Sequence, residues 1–340
     1  MNVILITPAP RHSRTGNRTT ALRWAGLLRG AGHRVVVATA YDSEPCDLMI
    51  ALHAWKSAPA IQRFRRAYPE RPLVVALTGT DINHDLAADP AKTQRSLDLA
   101  DALVGLHELV GEAIPARHRE KLAVIVQSVP AGGDRLPALK RAFEILVVGH
   151  LRDEKDPLRA AIAARALPTS SRIRVVHLGG APDPAWAARA RDEMQANPRY
   201  DWRGEVSGAR VRRFLRRGRL MVLSSLSEGG ANVVSEAVVA GLPILASAIP
   251  GNVGLLGGDH PGYFPPGDHG ALAGLMLRAE REPDFLEGLR AHGAARADAF
   301  DPARERLAWS ALVERASAAA RARVASGIDA ARPAPALLQP

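Results

Sequence analysis

The 340 residues carry a formal charge of +10, with 47% hydrophobic residues, 4% aromatics and one cysteine, Cys46. A chain of this length suggests about two domains, with cores built mainly from Ala, Val and Leu. One cysteine excludes an intrachain disulfide and a zinc ribbon, and no apolar run reaches the ~18 residues of a spanning helix, so the expectation is a soluble cytoplasmic protein without a membrane span.

The N-terminal MNVILITPAP has no basic segment ahead of its short apolar run, so it reads as a first strand (2–7) and not as a signal sequence. A helix is predicted in NRTTALRWAGLLRGAG. Ala21, Leu22, Ala25, Leu27 and Leu28 are expected on one broad face, with Gly32 as the stop. Further strands are predicted at 34–40, 47–53, 72–78, 102–106 and 122–128. PAGGDRLPALK (130–140) has the composition of a linker. The pattern restarts with strands at 144–151, 172–180, 219–225 and 242–247. Short β-branched runs alternating with helices indicate parallel sheets covered on both faces. Two doubly wound α/β domains follow, joined near 129–142, with ligands at the carboxyl ends of the strands and in the cleft between domains. The predicted division is 1–135 and 143–300, then a helix over 301–325 and a disordered tail over 326–340.

Two loops in the second half carry chemistry. VGHLRDEKDP (148–157) joins a strand to a helix. Gly149 frees the backbone, and Arg152 and Lys155 can reach a ligand at the strand end. The loop is either a cationic clamp for a diphosphate or a helix lead-in with solvated charges. EGGANVVSEAVVAG (228–241) follows a strand and opens a helix at Ala231 or Asn232. Its N–H groups would serve an anion. Glu236 leans back toward the helix start and could reach ribose hydroxyls. Glu228 could accept from a sugar ring. The plainer reading makes Glu236 a first-turn acid favoured by the helix dipole.

This glutamate pair, with seven residues between its members, follows the Gly-x-x-x-x-Glu-Lys loop ending at Lys155. The combination resembles glycosyltransferase family 4 and its GT-B architecture of two Rossmann-like domains. The resemblance implies that Lys155 grips the donor diphosphate, Glu228 contacts the transferred sugar and Glu236 the ribose. Gly149, His150, Arg152, Gly229, Gly230, Ala231 and Asn232 complete the implied donor site. IPGNVG (249–254) and FPPGD (264–268) match segments that close it, and the last helix is expected to cross back to the N-terminal domain. This chain has His150 where the family has arginine, and Thr78 where the family has the histidine of a His-Gly pair. His53 is then the candidate imidazole. With TGNRTTALRWAGLLR, IALHAWKSA and ALTGTDI, the chain is similar to the selenosugar synthases of selenoneine biosynthesis (the SenB family). That implies transfer of a sugar such as N-acetylglucosamine from a UDP-sugar to selenophosphate, with no bound cofactor and no metal.

Such an acceptor suits Gly16, Asn17 and Arg18 between the first strand and its helix, where a helix N-terminus and a guanidinium would cradle a small dianion. The alternative makes Asn17 an N-cap and Gly16 a turn residue. Lys56, Thr78 and Thr80 stand at neighbouring strand ends, as does His53. Two other functions are compatible with parts of the sequence. One is a hexosyltransferase with a hydroxyl acceptor. The other is a nucleic-acid-binding protein using Arg210, Arg212, Arg213, Arg216, Arg217 and Arg219. The latter lacks a set of stacking aromatics, so no nucleic-acid partner is expected. The oligomeric state is open.

Overall fold

The computed structural model describes residues 1–13 and 15–325; the tail expected at 326–340 lies outside them. The chain divides into two compact units, residues 1–125 with the segment from 303 onward, and residues 126–302.

In the first unit six strands form one parallel sheet: β1 Asn2–Ile6, β2 Arg34–Ala38, β3 Leu48–Leu52, β4 Leu73–Ala76, β5 Ala102–Gly105 and β6 Leu122–Val124. Their order is β2-β1-β3-β4-β5-β6. Alternate residues of each strand feed opposite cores, as a period of two requires. Val3 and Leu5 pack with Ala21, Trp24 and Trp309, whereas Ile4 and Ile6 pack with Ile61 and Phe64. Four helices join the strands: α1 Gly16–Gly30, α2 Ala58–Ala67, α3 Leu86–Ala88 and α4 Pro90–Leu99.

The buried face of α1 is Arg18, Ala21, Trp24, Ala25 and Leu28. Leu22, expected on that face, is 49% exposed. The spacing 21, 24, 25, 28 keeps one stripe at 3.6 residues per turn, and position 22 lies about 100° away. Gly32, at φ +88°, ends the helix as expected.

The second unit repeats the plan with β7 Phe143–Val148, β8 Ile173–Leu178, β9 Tyr200–Trp202, β10 Leu220–Leu223, β11 Ile244–Ser247 and β12 Tyr263–Phe264. The order is β12-β11-β10-β7-β8-β9, again parallel. Its helices are α5 Arg159–Arg165, α6 Pro184–Ala196, α7 Gly208–Arg217, α8 Asn232–Val239, α9 Pro250–Leu256, α10 His269–Arg281 and α11 Pro283–Ala295.

The long helix α12 Pro302–Ala325 belongs to the first unit from residue 303 on. Its Trp309 meets Trp24 edge-on with ring centroids 4.6 Å apart. Trp24 Nε1 donates to buried Glu305 Oε1 at 2.7 Å. Such an aromatic pair contributes roughly 0.5–1.5 kcal/mol beyond its buried area.

The segment 130–140 differs from the linker that its composition suggested. Val129 N–H donates to Phe300 O, and Leu136 N–H to Arg216 O. Arg135 donates to the carbonyls of Leu215 and Gly218 at the end of α7. Those carbonyls have no partner within the helix, so a cation there holds the strap to the second unit. The division into compact units falls at 125/126, so the segment 130–140 is counted with the second unit.

Candidate active site

A doubly wound sheet opens a crevice where the strand order reverses. In the second unit that point lies between β7 and β10. Beyond β7 come Gly149, His150 and a short turn, Asp153–Lys155. Beyond β10 comes the loop that ends in α8. The two loops are tied together: Leu226 N–H and Ser227 N–H donate to Glu154 O, and Ser224 Oγ donates to Asp156 O at 2.9 Å. Asp156 stands in the left-handed region, φ +42°, and accepts from Arg159 Nε at 2.6 Å. That turn reverses the chain so that Lys155 points back over the strand ends. Its Nζ donates to Glu228 Oε1 at 2.6 Å. Two residues 73 positions apart, each singled out from sequence, are brought into one ion pair.

Glu228 is 7% exposed, and the same Oε1 also accepts from Ser225 Oγ at 2.6 Å. Arg152 lies nearby on the loop, 3.9 Å from Glu154. Helix α8 begins at Asn232 with Ala231 in the cap position, which supplies no side-chain acceptor to its first turn. Glu236 sits one turn in and is half-buried. Gly229 is buried and Gly230 half-buried on the loop before it.

Backbone shape accounts for the glycines. A Cβ on Gly149 would meet nothing within 4 Å, whereas one on Gly179 would lie 1.8 Å from Gly149 O. Gly179 is therefore demanded by packing, and Gly149 faces open space of the kind a ligand approaches. The loop is pinned from below by His177. Its Nε2 lies 3.0 Å from Gly149 O and its Nδ1 2.9 Å from Tyr200 Oη. A carbonyl only accepts, so Nε2 carries the proton and Tyr200 donates to Nδ1. His150 Nδ1 accepts from Gly180 N–H at 3.1 Å, which leaves its Nε2 as the donor.

Burial pushes the His177 pKa down to about 4. In the unfolded chain the ring titrates near 6.5, so the unfolded state binds the extra proton first as pH falls. The contribution to stability is complete above about 6.5, falls as pH drops from there toward 4, and is gone below. We expect His177 to contribute up to about 1.4 kcal/mol per pH unit to the decline of the unfolding free energy through that window, read from denaturant curves. The His177→Gln variant should show a shallower decline; an unchanged slope would contradict a neutral buried ring.

In the first unit the order reverses between β1 and β3, and the candidates stand on the loops after β1, β3 and β4. Helix α1 begins at Gly16 with Thr15 in the cap position and no side-chain cap bond, so Asn17 lies in the first turn and is not the N-cap. The Thr15 hydroxyl accepts from Ser13 Oγ instead, at 2.8 Å. Arg18 is 9% exposed, and its Nε is buried without a hydrogen-bond partner among the described residues.

His53 holds φ +73°, a strained conformation outside glycine. The sequence reading makes it an imidazole facing substrate, but the structure encloses it: the side chain is 1% exposed. Nδ1 accepts from Lys56 N–H at 3.3 Å, and Nε2 donates to Thr80 Oγ1 at 2.9 Å. Burial lowers its pKa. Lys56 is exposed and Thr78 and Thr80 are half-buried, and the Thr78 hydroxyl oxygen is buried with no hydrogen-bond partner among the described residues. Asp81, fully buried, accepts from the N–H groups of Ala54, Thr78 and Gly79, which ties the β3 and β4 loops together.

Among the described residues no group of histidine, cysteine and carboxylate side chains is arranged to hold a metal ion, and no helix is long and apolar enough to cross a membrane. The arginine cluster on α7 is divided. Arg217 pairs with buried Glu144 at 2.8 Å and Arg216 donates to Asp134 O, while Arg210, Arg212, Arg213 and Arg219 are exposed.

Residues 135–296, most of the second unit, match the family model of the glycosyl transferases group 1. The chain is a glycosyltransferase. It is 24% identical over 278 residues to glycosyltransferase 1 domain-containing protein 1 of Xenopus tropicalis, covering 74% of this chain and 80% of that protein. Among solved structures, Anabaena HepE in complex with UDP superposes with a TM-score of 0.76 at 14% identity, over 92% of this chain and all of that one. The UDP-glucose complex of HepE gives the same TM-score at 15% identity. Sucrose-phosphate synthase from Thermosynechococcus elongatus gives 0.72 at 15% identity, over 96% of this chain and 99% of that one. At these identities the structures speak for the fold, which is GT-B with two Rossmann-like units.

Ser225, His177 and Gly179 carry no site role in the sequence reading, and Gly251 and Asn252 enter it only as part of IPGNVG (249–254). For His177 and Gly179 the visible signal is the Gly-Gly at 179–180 after a strand. A direct test separates packing from binding glycines. Gly149→Ala should fold with a melting temperature within a degree or two of wild type and bind nucleotide about tenfold more weakly. Gly179→Ala should lower stability by about 1–3 kcal/mol through overpacking. Equal losses in both would remove the case for ligand approach at Gly149.

Proposed function

We propose that this glycosyltransferase transfers N-acetylglucosamine or glucose from a UDP-sugar to selenophosphate. The observation that carries the donor half is the Lys155–Glu228 pair at the crevice of the second unit, under the open backbone of Gly149. Lys155 and Arg152, with the N–H groups of Gly229, Gly230 and the start of α8, stabilise negative charge as UDP leaves. Glu236 binds the ribose and Glu228 orients the sugar. The UDP-glucose bound by HepE supports a donor of this class.

The acceptor half is supported by Arg18, a buried guanidinium in the first turn of an uncapped helix, and by the resemblance of TGNRTTALRWAGLLR and ALTGTDI to the selenosugar synthases. The anionic selenium attacks the anomeric carbon. The bond from that carbon to the diphosphate oxygen breaks, and UDP departs with the electron pair. A nucleophile already anionic has less need of a general base, which accords with the enclosed His53. Thr78, Thr80 and Lys56, with Gly16 and Asn17, are the further acceptor contacts. A free selenosugar requires a later hydrolysis of the Se–P bond.

Incubation with UDP-N-acetylglucosamine or UDP-glucose and selenophosphate should yield UDP and a selenium-bearing sugar by mass spectrometry. UDP release only with a hydroxyl acceptor would remove the selenophosphate assignment and leave the donor assignment standing.

A further inference from the structure

Behind Glu228 runs a line of buried side chains that the chemistry above does not use. Asn252, 0% exposed, lies in the first turn of α9. Its Nδ2 donates to Ser247 O at 2.9 Å and to Ser247 Oγ at 3.0 Å. Both amide protons are then committed, so the Ser247 hydroxyl must spend its own proton elsewhere. It donates to Ser225 O at 2.5 Å. The Ser225 hydroxyl in turn donates to Glu228 Oε1 at 2.6 Å. Every proton is directed the same way, from α9 through the end of β11 to the loop after β10.

Shape and polarity both argue that this line sets an orientation. A Cβ on Gly251 would lie 2.5 Å from Glu228 O and 2.8 Å from its Cβ, so α9 rests on the backbone of Glu228. Asn252 Oδ1 is buried without a partner among the described residues. An apolar residue of similar size would avoid that penalty, yet could not donate to Ser247. Lys155 approaches Glu228 from a flexible four-carbon stem that is 31% exposed, a poor means of holding a carboxylate plane. Ser225, 1% exposed, supplies a second and rigid donor to the same oxygen.

We propose that Ser225, Ser247 and Asn252 are positioning residues that hold the plane of the Glu228 carboxylate for the transferred sugar. The proposal rests on the reading of Glu228 as the sugar contact. It is tested in the full-length enzyme with Ser225→Ala, Ser225→Thr and Asn252→Asp, reading UDP affinity by calorimetry alongside kcat and KM for UDP-sugar turnover. Ser225→Ala should lower kcat roughly 10- to 100-fold, the scale of a misplaced contact, with UDP affinity within about twofold. Ser225→Thr, which keeps the hydroxyl, should recover most of the rate. Asn252→Asp should match Ser225→Ala, since a carboxylate has no proton for Ser247. An unchanged kcat in Ser225→Ala, or a parallel loss of kcat and UDP affinity without rescue by threonine, would overturn the proposal. Absence of UDP binding by the wild-type enzyme would instead overturn the donor reading beneath it.

Discussion

Lys155→Ala should lower UDP-sugar turnover ~10²–10³-fold, the loss typical of removing one preorganised stabiliser of developing charge. Lys155 is held in place before any substrate arrives. Its Nζ sits 2.6 Å from Glu228, and the left-handed turn at Asp156 directs it there. A leaving diphosphate gains charge in the transition state, so the missing cation should affect kcat more than donor KM. The structural cost should be modest, about 1 kcal/mol or less, because the lysine side chain is 31% exposed and solvent screens the pair. Lys155→Arg should recover part of the rate, since charge is kept while reach and shape differ. Steady-state kinetics with denaturant unfolding separates these effects. A variant with full kcat, or one whose activity loss follows only its unfolding, would remove Lys155 from the chemistry.

Arg18→Ala should raise the KM for the anionic acceptor by roughly 10²-fold, the worth of about two charge-assisted hydrogen bonds, and leave UDP affinity unchanged. The unusual part of the expectation concerns stability. A buried guanidinium whose Nε has no hydrogen-bond partner among the described residues costs the unliganded fold desolvation energy. Deleting Arg18 should therefore leave the melting temperature of the free enzyme unchanged or raise it. Added selenophosphate or inorganic phosphate should stabilise wild type and not the variant. Calorimetry with UDP and thermal melts with each anion provide the two readings. If Arg18→Ala and Glu236→Ala both weaken UDP binding equally, the division of donor and acceptor binding between the two units is wrong.

The strands were legible because a parallel sheet buries both faces and so demands unbroken Val, Ile and Leu runs. The glutamate pair and the Lys155 loop were legible as spacing. Other features were not. Trp24, and not Leu22, anchors α1, since its partner Trp309 lies on α12, 285 positions away. The segment 130–140 looked like a linker because composition reports chain flexibility and not which carbonyls lie within reach of Arg135. His53 looked available because a histidine at a strand end carries no local sign of whether its ring is covered; the contacts from Thr80 and Lys56 decide that. Ser225, Ser247 and Asn252 are ordinary residues whose arrangement exists only once β10, β11 and α9 are side by side.

What the sequence by itself determined is the α/β class, the double repeat of strands and helices, and the identity of Lys155, Glu228 and Glu236 as candidates. Such properties depend on local periodicity and on residue types at short spacing. Only the tertiary structure decided which candidates meet, which ring is enclosed, which glycines answer to packing and which face open space. Those outcomes depend on contacts between residues far apart in the chain, and a linear pattern carries no record of them.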